Sequence, residues 1–183
     1  MTVEALRQSL TSLSQTSRRE LTIGLVPDLA QVGLRLDPSE ASHAPYPLPL
    51  EPNTVWEEGQ RAALWLGPDE WLILGAPGEA PEIVDELERA LEGLHRSVID
   101  LSANRVAIEL GGSERFALLS TGCPIDLHAR LWRTGRCAQT LFGLAQVILH
   151  ERAKTTGILV RPSFAGYVVD RMIDAWALIE RKT

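Results

Sequence analysis

The segment ALWLGPDEWLIL, residues 63–74, contains two apolar runs that each carry a tryptophan, with a Gly-Pro-Asp-Glu sequence between them. Short apolar runs rich in aromatic and branched residues are typical of β-strands, and glycine, proline and aspartate are typical of turns. Four turn-forming residues between two such runs predict a β-hairpin. The segments on either side of this hairpin continue the pattern with further strands and helices.

A helix and two strands are predicted after the hairpin. Pro81 suits the first position of the helix, where its missing N–H costs no hydrogen bond. The apolar stripe of this helix recurs at helical spacing through Ile83, Leu87, Leu91 and Leu94. Acidic residues cover its other face, which we expect to lie in solvent. Residues 98–101 and 106–110 then predict strands, the second with one wet face.

Two strands and a proline-rich loop are predicted before the hairpin, at residues 21–26, 31–36 and 38–52. Five of the eleven prolines of the chain fall in the last of these ranges. Because each proline removes a donor and restrains the residue before it, we expect an extended loop and no helix there. The loop is either a surface connection or a segment that lines an interface. Near the N terminus, Thr2 can cap a short amphipathic helix over residues 2–13.

The second half of the chain repeats this order of elements. Ser113 is a candidate cap for a helix that ends at Gly122. The stretch 122–151 that follows is predicted to provide a strand pair and a docking surface. Strands at 145–151 and 158–161 precede a broad amphipathic helix capped by Ser163. The order predicts an α+β domain over residues 1–183, with mainly antiparallel sheets. Its two similar halves are expected at about residues 20–101 and 102–180.

Composition excludes several classes of function. Lys and Arg number 18 and Asp and Glu number 24, so the net charge is −6, which argues against nucleic acid or an anionic membrane as the main partner. We find no apolar run of about 20 residues and no secretory signal. With two cysteines, a disulfide framework is not expected, and the cytoplasm is the expected compartment.

Cysteine and histidine are concentrated in the stretch 122–151, where a metal site or a thiol nucleophile is one interpretation. Cys123, His128, Cys137 and His150 lack the paired short spacing of structural zinc sites. A nucleophilic cysteine would need a base whose position the sequence does not give. We favour two buried core cysteines. No glycine-rich phosphate loop supports a nucleotide cofactor.

A polar cluster and an isolated tryptophan are further candidates for binding. Asp100, Asn104 and Arg105 lie at a strand junction, where the carboxylate and the guanidinium can pair with each other or bind a ligand's carboxylate. Arg136 and Gln139 have the same two interpretations. Trp132 lies between turns and suits an interface anchor or a lid.

Six motifs in order resemble those of the gamma-subunit family of heterotetrameric sarcosine oxidases. They are LPLEPNT (48–54), LGPDEWL (66–72), DLSANR (100–105), GCPIDLH (122–128), GRCAQT (135–140) and RPSFA (161–165). The resemblance implies a fold similar to the folate-binding domain of the aminomethyltransferase (T-protein) family, built from two intertwined halves of strands and helices.

The resemblance also implies a role in a larger assembly. In the family, the alpha and beta subunits carry flavin and nicotinamide cofactors, and the delta subunit carries zinc. The assembly oxidises sarcosine to glycine and makes hydrogen peroxide with formaldehyde, or with methylene-tetrahydrofolate when folate is present. No catalytic, cofactor-binding or metal-binding residue of the gamma subunit is available to carry over, so none is assigned here, and folate is expected only at the level of the complex.

Two hypotheses follow. In the first, the chain is an accessory subunit without chemistry that packs against the alpha subunit. In the second, it is a stand-alone folate-binding or aminomethyltransferase-like domain that uses Asp100 and Arg105 on a one-carbon carrier. The candidate interface residues are Asp100, Asn104, Arg105, His128, Trp132, Arg136 and Gln139.

Overall fold

The computed structural model describes residues 21–181, so the helix predicted to follow Thr2 lies outside the described residues. The strands are β1 (Thr22–Val26), β2 (Ala30–Leu36), β3 (Val55–Glu58), β4 (Arg61–Gly67), β5 (Glu70–Gly75), β6 (Arg96–Asp100), β7 (Val106–Gly111), β8 (Arg136–Phe142), β9 (Ala145–Glu151) and β10 (Thr155–Val160). The α-helices are α1 (Ala80–Ala90), α2 (Arg115–Ser120) and α3 (Pro162–Arg181), and a 3-10 helix spans Pro38–His43. None of the described helices is long and apolar enough to cross a membrane.

The chain divides into two compact units. Among the described residues, unit 1 contains 21–26, 105–134 and 139–181, and unit 2 contains 27–104 and 135–138. Each unit has a five-stranded sheet, in the order β1-β7-β10-β9-β8 in unit 1 and β3-β4-β5-β2-β6 in unit 2. With helices added to two mainly antiparallel sheets, the fold is α+β, and the predicted fold class is confirmed.

The hairpin predicted from residues 63–74 lies in the sheet of unit 2. It is formed by β4 and β5, which pair antiparallel with Ala63 opposite Ile73, and a register shift falls between Trp65 and Gly67. Helix α1 begins at Ala80, so Pro81 is its second residue and not its first, and Ile83 and Leu87 are fully buried on its inner side. Strand β3 is the one described strand of this unit that the sequence did not predict.

The proline-rich loop contains a helix that the sequence prediction excluded. The 3-10 helix begins because the Asp37 side chain accepts a hydrogen bond from the Ser39 backbone N–H, at 2.9 Å, while Pro38 occupies the first turn. A short cap of this kind outweighs the extended preference of the prolines further along the loop. The loop is then tied to the sheet, because the Trp71 Nε1 donates to the Pro49 carbonyl oxygen at 2.7 Å.

Unit 1 places α2 and α3 beside its sheet. The inner side of α3 is buried at Val168, Met172 and Trp176, as the predicted stripe requires. The caps differ from the prediction. Helix α3 starts at Pro162, so Ser163 lies within its first turn. The residue before α2 is Glu114, not Ser113, and its side chain makes no capping hydrogen bond. Proline at a first helical position needs no capping partner for its nitrogen, which explains the earlier start of α3.

The predicted strand pair of the stretch 122–151 is formed by β8 and β9, which are neighbours at the edge of the unit 1 sheet. Gly143 in the connecting turn has a φ of 62°, a left-handed conformation that favours glycine. A Cβ at this position would collide with the Tyr167 hydroxyl, which accepts a hydrogen bond from the Leu144 backbone N–H at 3.1 Å. This turn therefore joins the sheet edge to α3.

Candidate functional site

The connection between α2 and β8 holds two of the seven candidate interface residues, His128 and Trp132, and Trp132 is buried within it. The Trp132 side chain is only 6 % exposed, and its Nε1 donates to Glu151 Oε2 at 3.0 Å. The indole is thus part of the core of unit 1. Trp132, which suited an interface anchor or a lid, has both its ring and its N–H occupied inside the unit.

Glu151 is the polar centre that holds this connection in place. It is 2 % exposed, and its two carboxylate oxygens accept hydrogen bonds from Arg115 Nη2 at 2.9 Å, from Trp132 and from the Thr156 hydroxyl. A buried carboxylate is tolerated only when donors and a positive charge replace water, and three donors do so here. The sequence analysis did not select Glu151 as a site residue. The available signal was an acidic residue at the end of a predicted strand, two positions after the apolar residues 147–149.

The segment 128–134, called the 128–134 loop below, presents an apolar side chain among basic ones. Leu131 is 57 % exposed, and His128, Arg130 and Arg133 are exposed beside it in a loop without acidic residues. The loop is ordered by turns: Asp126 accepts from the His128 N–H at 2.8 Å, and the His128 carbonyl oxygen accepts from the N–H groups of residues 131 and 132. Leu131 is therefore held outward by its own backbone and by the buried neighbour Trp132.

The cluster predicted around Asp100 is a turn in unit 2. Asp100 Oδ1 accepts from the Ser102 hydroxyl at 2.6 Å and from its N–H at 2.8 Å, and these hydrogen bonds lower the pKa of the Asp100 carboxyl. The Asn104 N–H donates to the Leu101 carbonyl oxygen at 2.8 Å. Both residues thus shape the end of β6. Arg105 belongs to unit 1 and has a different environment, described below.

Arg136, the first residue of β8, forms an ion pair. Its Nη1 lies 3.3 Å from a carboxylate oxygen of Glu51, which is largely exposed, and its backbone forms a bridge with Thr54. An ion pair with one solvent-exposed partner contributes only about 0–1 kcal/mol. The Arg136 side chain is 28 % exposed at the surface of unit 2.

Two of the predicted residues, Arg105 and Gln139, line the same pocket of unit 1. Its volume is about 360 Å³. The remaining lining residues are Thr140, Leu141, Gln146, Val147, Ile148, Leu159 and Arg161. Sequence reasoning missed Arg161 as a site residue, although it opens one of the motifs that carry the family resemblance.

Both cysteines are buried free thiols, one in each unit: Cys123 in unit 1 and Cys137 in unit 2. Burial raises the pKa of each thiol to about 12, so both are protonated at neutral pH. The Cys137 Sγ lies within 3.4 Å of the carbonyl oxygens of Thr54 and Trp65, which suits a neutral S–H. Because the thiolate is the reactive form, this geometry favours structural cysteines. Among residues 21–181, no group of three or more His, Cys, Asp and Glu side chains could hold a metal ion.

Comparison with known sequences identifies similar proteins. The model of the family described as sarcosine oxidase, gamma subunit family, matches residues 37–178. Sarcosine oxidase subunit gamma from Arthrobacter sp. is 35 % identical over 153 residues, which cover 79 % of this chain and 74 % of that protein. Sarcosine oxidase subunit gamma from Corynebacterium sp. strain U-96 is 35 % identical over 165 residues, which cover 86 % of this chain and 80 % of that protein.

Comparison with solved structures also finds a sarcosine oxidase chain. A chain of the heterotetrameric sarcosine oxidase from Corynebacterium sp. U-96, solved in complex with pyrrole 2-carboxylate, superposes with a TM-score of 0.86 and 31 % identity. The match covers 94 % of this chain and 92 % of that one. The aminomethyltransferase T of the glycine cleavage system from Bartonella henselae matches with a TM-score of 0.66 at 14 % identity, over 90 % of this chain and 48 % of that one. The second likeness concerns the fold alone.

Proposed function

The chain belongs to the sarcosine oxidase gamma subunit family, and from that premise we propose that it is an accessory, non-catalytic subunit that packs against the alpha subunit of a heterotetrameric sarcosine oxidase. The observation that carries the proposal is the superposition, at a TM-score of 0.86, on nearly the whole length of a chain from such a complex. The complex would oxidise sarcosine to glycine, with its flavins, nicotinamide cofactor and zinc in the alpha, beta and delta subunits. Two free thiols support a reducing compartment such as the cytoplasm.

The chemistry of the buried groups supports an accessory role. Cys123 and Cys137 are protonated at neutral pH, and the carboxylate of Glu151 is saturated by three donors within unit 1. Each of these groups contributes to the fold. The second hypothesis, a folate-binding domain that uses Asp100 and Arg105, rests on a fold likeness at 14 % identity, and the Asp100 carboxylate is already held by Ser102.

The 128–134 loop is the surface that we propose docks on the alpha subunit. Leu131 is exposed and is held by a hydrogen-bonded turn, so little conformational entropy would be lost when it enters a pocket of the partner. Arg130 and Arg133 flank it, in a chain whose net charge is −6. This local positive charge favours a partner surface with an apolar pocket and an acidic rim.

Leu131→Asp should weaken binding to the rest of the complex by about tenfold or more, since an apolar anchor near the centre of an interface contributes more than about 1.4 kcal/mol. The measurement is a competition in which equal amounts of tagged variant and untagged wild-type chain assemble with the other subunits. The incorporated ratio then reports the difference in affinity. The variant is expected to keep the wild-type unfolding midpoint, because the substitution lies on the surface.

The matched control is Leu178→Asp, which changes a side chain of nearly equal exposure, 59 % against 57 %, elsewhere in unit 1. It should be incorporated as well as the wild-type chain. Equal incorporation of the Leu131 variant and the wild type, or exclusion of the Leu178 variant instead, would show that the docking surface lies elsewhere.

A further inference from the structure

The sheet of unit 2 ends at β6, whose outer edge is open. Strand β6 is the last in the order β3-β4-β5-β2-β6, so no described strand pairs with its other side. The Leu101 N–H donates to the Gln31 carbonyl oxygen of β2 at 2.7 Å, and the backbone groups of successive residues alternate in direction along an antiparallel strand. The N–H and C=O groups of Val98 and Asp100 therefore point away from β2, toward the open edge.

The two edges of this sheet differ in how they are protected. At the β3 edge, the Val55 N–H donates to the Gly135 carbonyl oxygen at 2.9 Å, and two glutamates end the strand. Covering and charge of this kind prevent a further strand from pairing with an edge. The middle of β6, residues 97–99, is Ser-Val-Ile, without lysine, proline or a register shift. The β6 edge thus keeps the features that allow another strand to pair.

An exposed apolar side chain marks the β6 edge. Ile99 is 54 % exposed, and its cross-strand neighbour on β2 is Gly33, which offers no side chain to cover it. Val98 points to the other face of the sheet and packs on the core cluster that includes Ile83 and Leu87 of α1. A strand added beside β6 would therefore place every second side chain next to Ile99 and the alternate side chains on the side of α1.

Acidic residues lie on the side of α1 that faces β6. The Arg96 Nε of β6 donates to Glu88 Oε2 of α1 at 2.9 Å, which identifies this side of the helix. Asp85 lies one helical turn before Glu88, and Glu92 lies in the connection from α1 to β6; both are exposed. Arg96 offsets the charge of Glu88, and Arg89 is the one basic residue of α1. The charge beside the edge is therefore negative, which favours a partner segment with basic residues.

We propose that β6 accepts an extended segment of another subunit of the complex, which adds a strand with apolar residues beside Ile99 and basic residues beside α1. The inference rests on the proposed function, since it takes the partner from the sarcosine oxidase assembly. In such strand addition, backbone hydrogen bonds give affinity and alternate side chains give specificity. A second copy of this chain is disfavoured, because antiparallel pairing of two β6 strands about a two-fold axis would bring the acidic sides of two α1 helices together.

Hydrogen exchange in the assembled complex, compared with the isolated full chain, tests the backbone pairing. The amides of Val98 and Asp100 point to the open edge, so their exchange should slow by about tenfold or more on assembly. The Ile99 amide points to β2 and should change least. Unchanged exchange at Val98 and Asp100 would overturn the proposal, since contact through side chains alone leaves these amides unpaired.

The competition for incorporation described for Leu131 tests the side chain at the edge. Ile99→Lys should reduce incorporation by about tenfold, because a lysine on an edge strand opposes further pairing. Ile99 is exposed, so the variant should keep the wild-type unfolding midpoint. The matched control is Leu50→Lys, at 59 % exposure in the same unit, which should be incorporated like the wild type. Equal incorporation of the two variants would overturn the proposal.

Charge reversal on α1 tests the chemistry of the added strand. Asp85→Lys should weaken incorporation, and Glu82→Lys should not. Glu82 lies one turn before Glu86, which accepts from Arg61 of β4 at 3.3 Å on the other side of the helix. If the two reversals act alike, the added strand is not selected by the charge beside β6, and its proposed basic character is wrong.

Cross-linking from p-benzoylphenylalanine in place of Ile99 identifies the added strand in the assembled complex. The expected product joins this position to a segment of another subunit in which apolar and basic residues alternate. A cross-link to a second copy of this chain would overturn the proposal. Failure of the wild-type chain to assemble would overturn the proposed function as well, whereas assembly without protection of Val98 and Asp100 would overturn only the strand addition.

Discussion

Glu151→Ala should lower the free energy of unfolding by about 3–5 kcal/mol, the cost of removing one partner from a buried ion pair. The carboxylate is almost fully buried and accepts from Arg115, Trp132 and Thr156. Alanine would leave the Arg115 guanidinium, whose side chain is 13 % exposed, without its counter-ion and two buried donors without their acceptor. Because Trp132 is one of these donors, the 128–134 loop should also lose its anchor to the sheet.

Chemical denaturation followed by circular dichroism measures this change. The control is Glu109→Ala, which removes a carboxylate from the neighbouring region of the same sheet. Glu109 is partly exposed and lies 3.7 Å from Arg152, so its removal should cost only about 0–1 kcal/mol. If the two variants lose equal stability, Glu151 is not the centre that orders the connection between α2 and β8.

Trp71→Ala should destabilise unit 2 by about 3–5 kcal/mol, the usual cost of emptying a buried aromatic site. Trp71 is fully buried and belongs to the same core cluster as Ile83, Leu87 and Leu48. Its Nε1 also donates to the Pro49 carbonyl oxygen, which fastens the proline-rich loop to the sheet. One substitution thus removes core volume and the anchor of the loop together.

Trp71→Phe separates these two contributions in the same denaturation experiment. Phenylalanine retains most of the apolar volume and loses the N–H donor, so we expect a loss of about 1–2 kcal/mol. A phenylalanine variant as unstable as the alanine variant would contradict the packing argument and give the Pro49 hydrogen bond the larger role. A wild-type midpoint for both would contradict the description of this core.

The sequence predicted well those elements whose formation depends on residues close to each other in the chain. The hairpin of β4 and β5 follows from two apolar runs and the turn between them, and α1 follows from Pro81 and a stripe at helical spacing. The 3-10 helix after Asp37 escaped prediction because one side-chain cap outweighs the average preference of a proline-rich segment. Strand β3 is only four residues long and polar at one end, which leaves little periodicity to detect.

Contacts between distant residues decide what the sequence did not predict. Trp132 suited an interface anchor or a lid because nothing near it in the sequence indicates Glu151, which lies 19 residues further on and accepts its hydrogen bond. That Arg105 and Arg161 line one pocket depends on the register of β7 and β10, in which Val106 pairs with Val160. Local patterns identified Arg105 and Gln139 as candidates, but the pocket that they share becomes visible only in the folded sheet.

The central claim is that this chain is an accessory gamma subunit, and native mass spectrometry of the tagged chain co-expressed with alpha, beta and delta subunits tests it most directly. The account predicts one species that contains all four subunits, with sarcosine oxidation in that species and none in the isolated chain. A tagged chain that appears apart from the other three subunits, or that oxidises sarcosine alone, would contradict it.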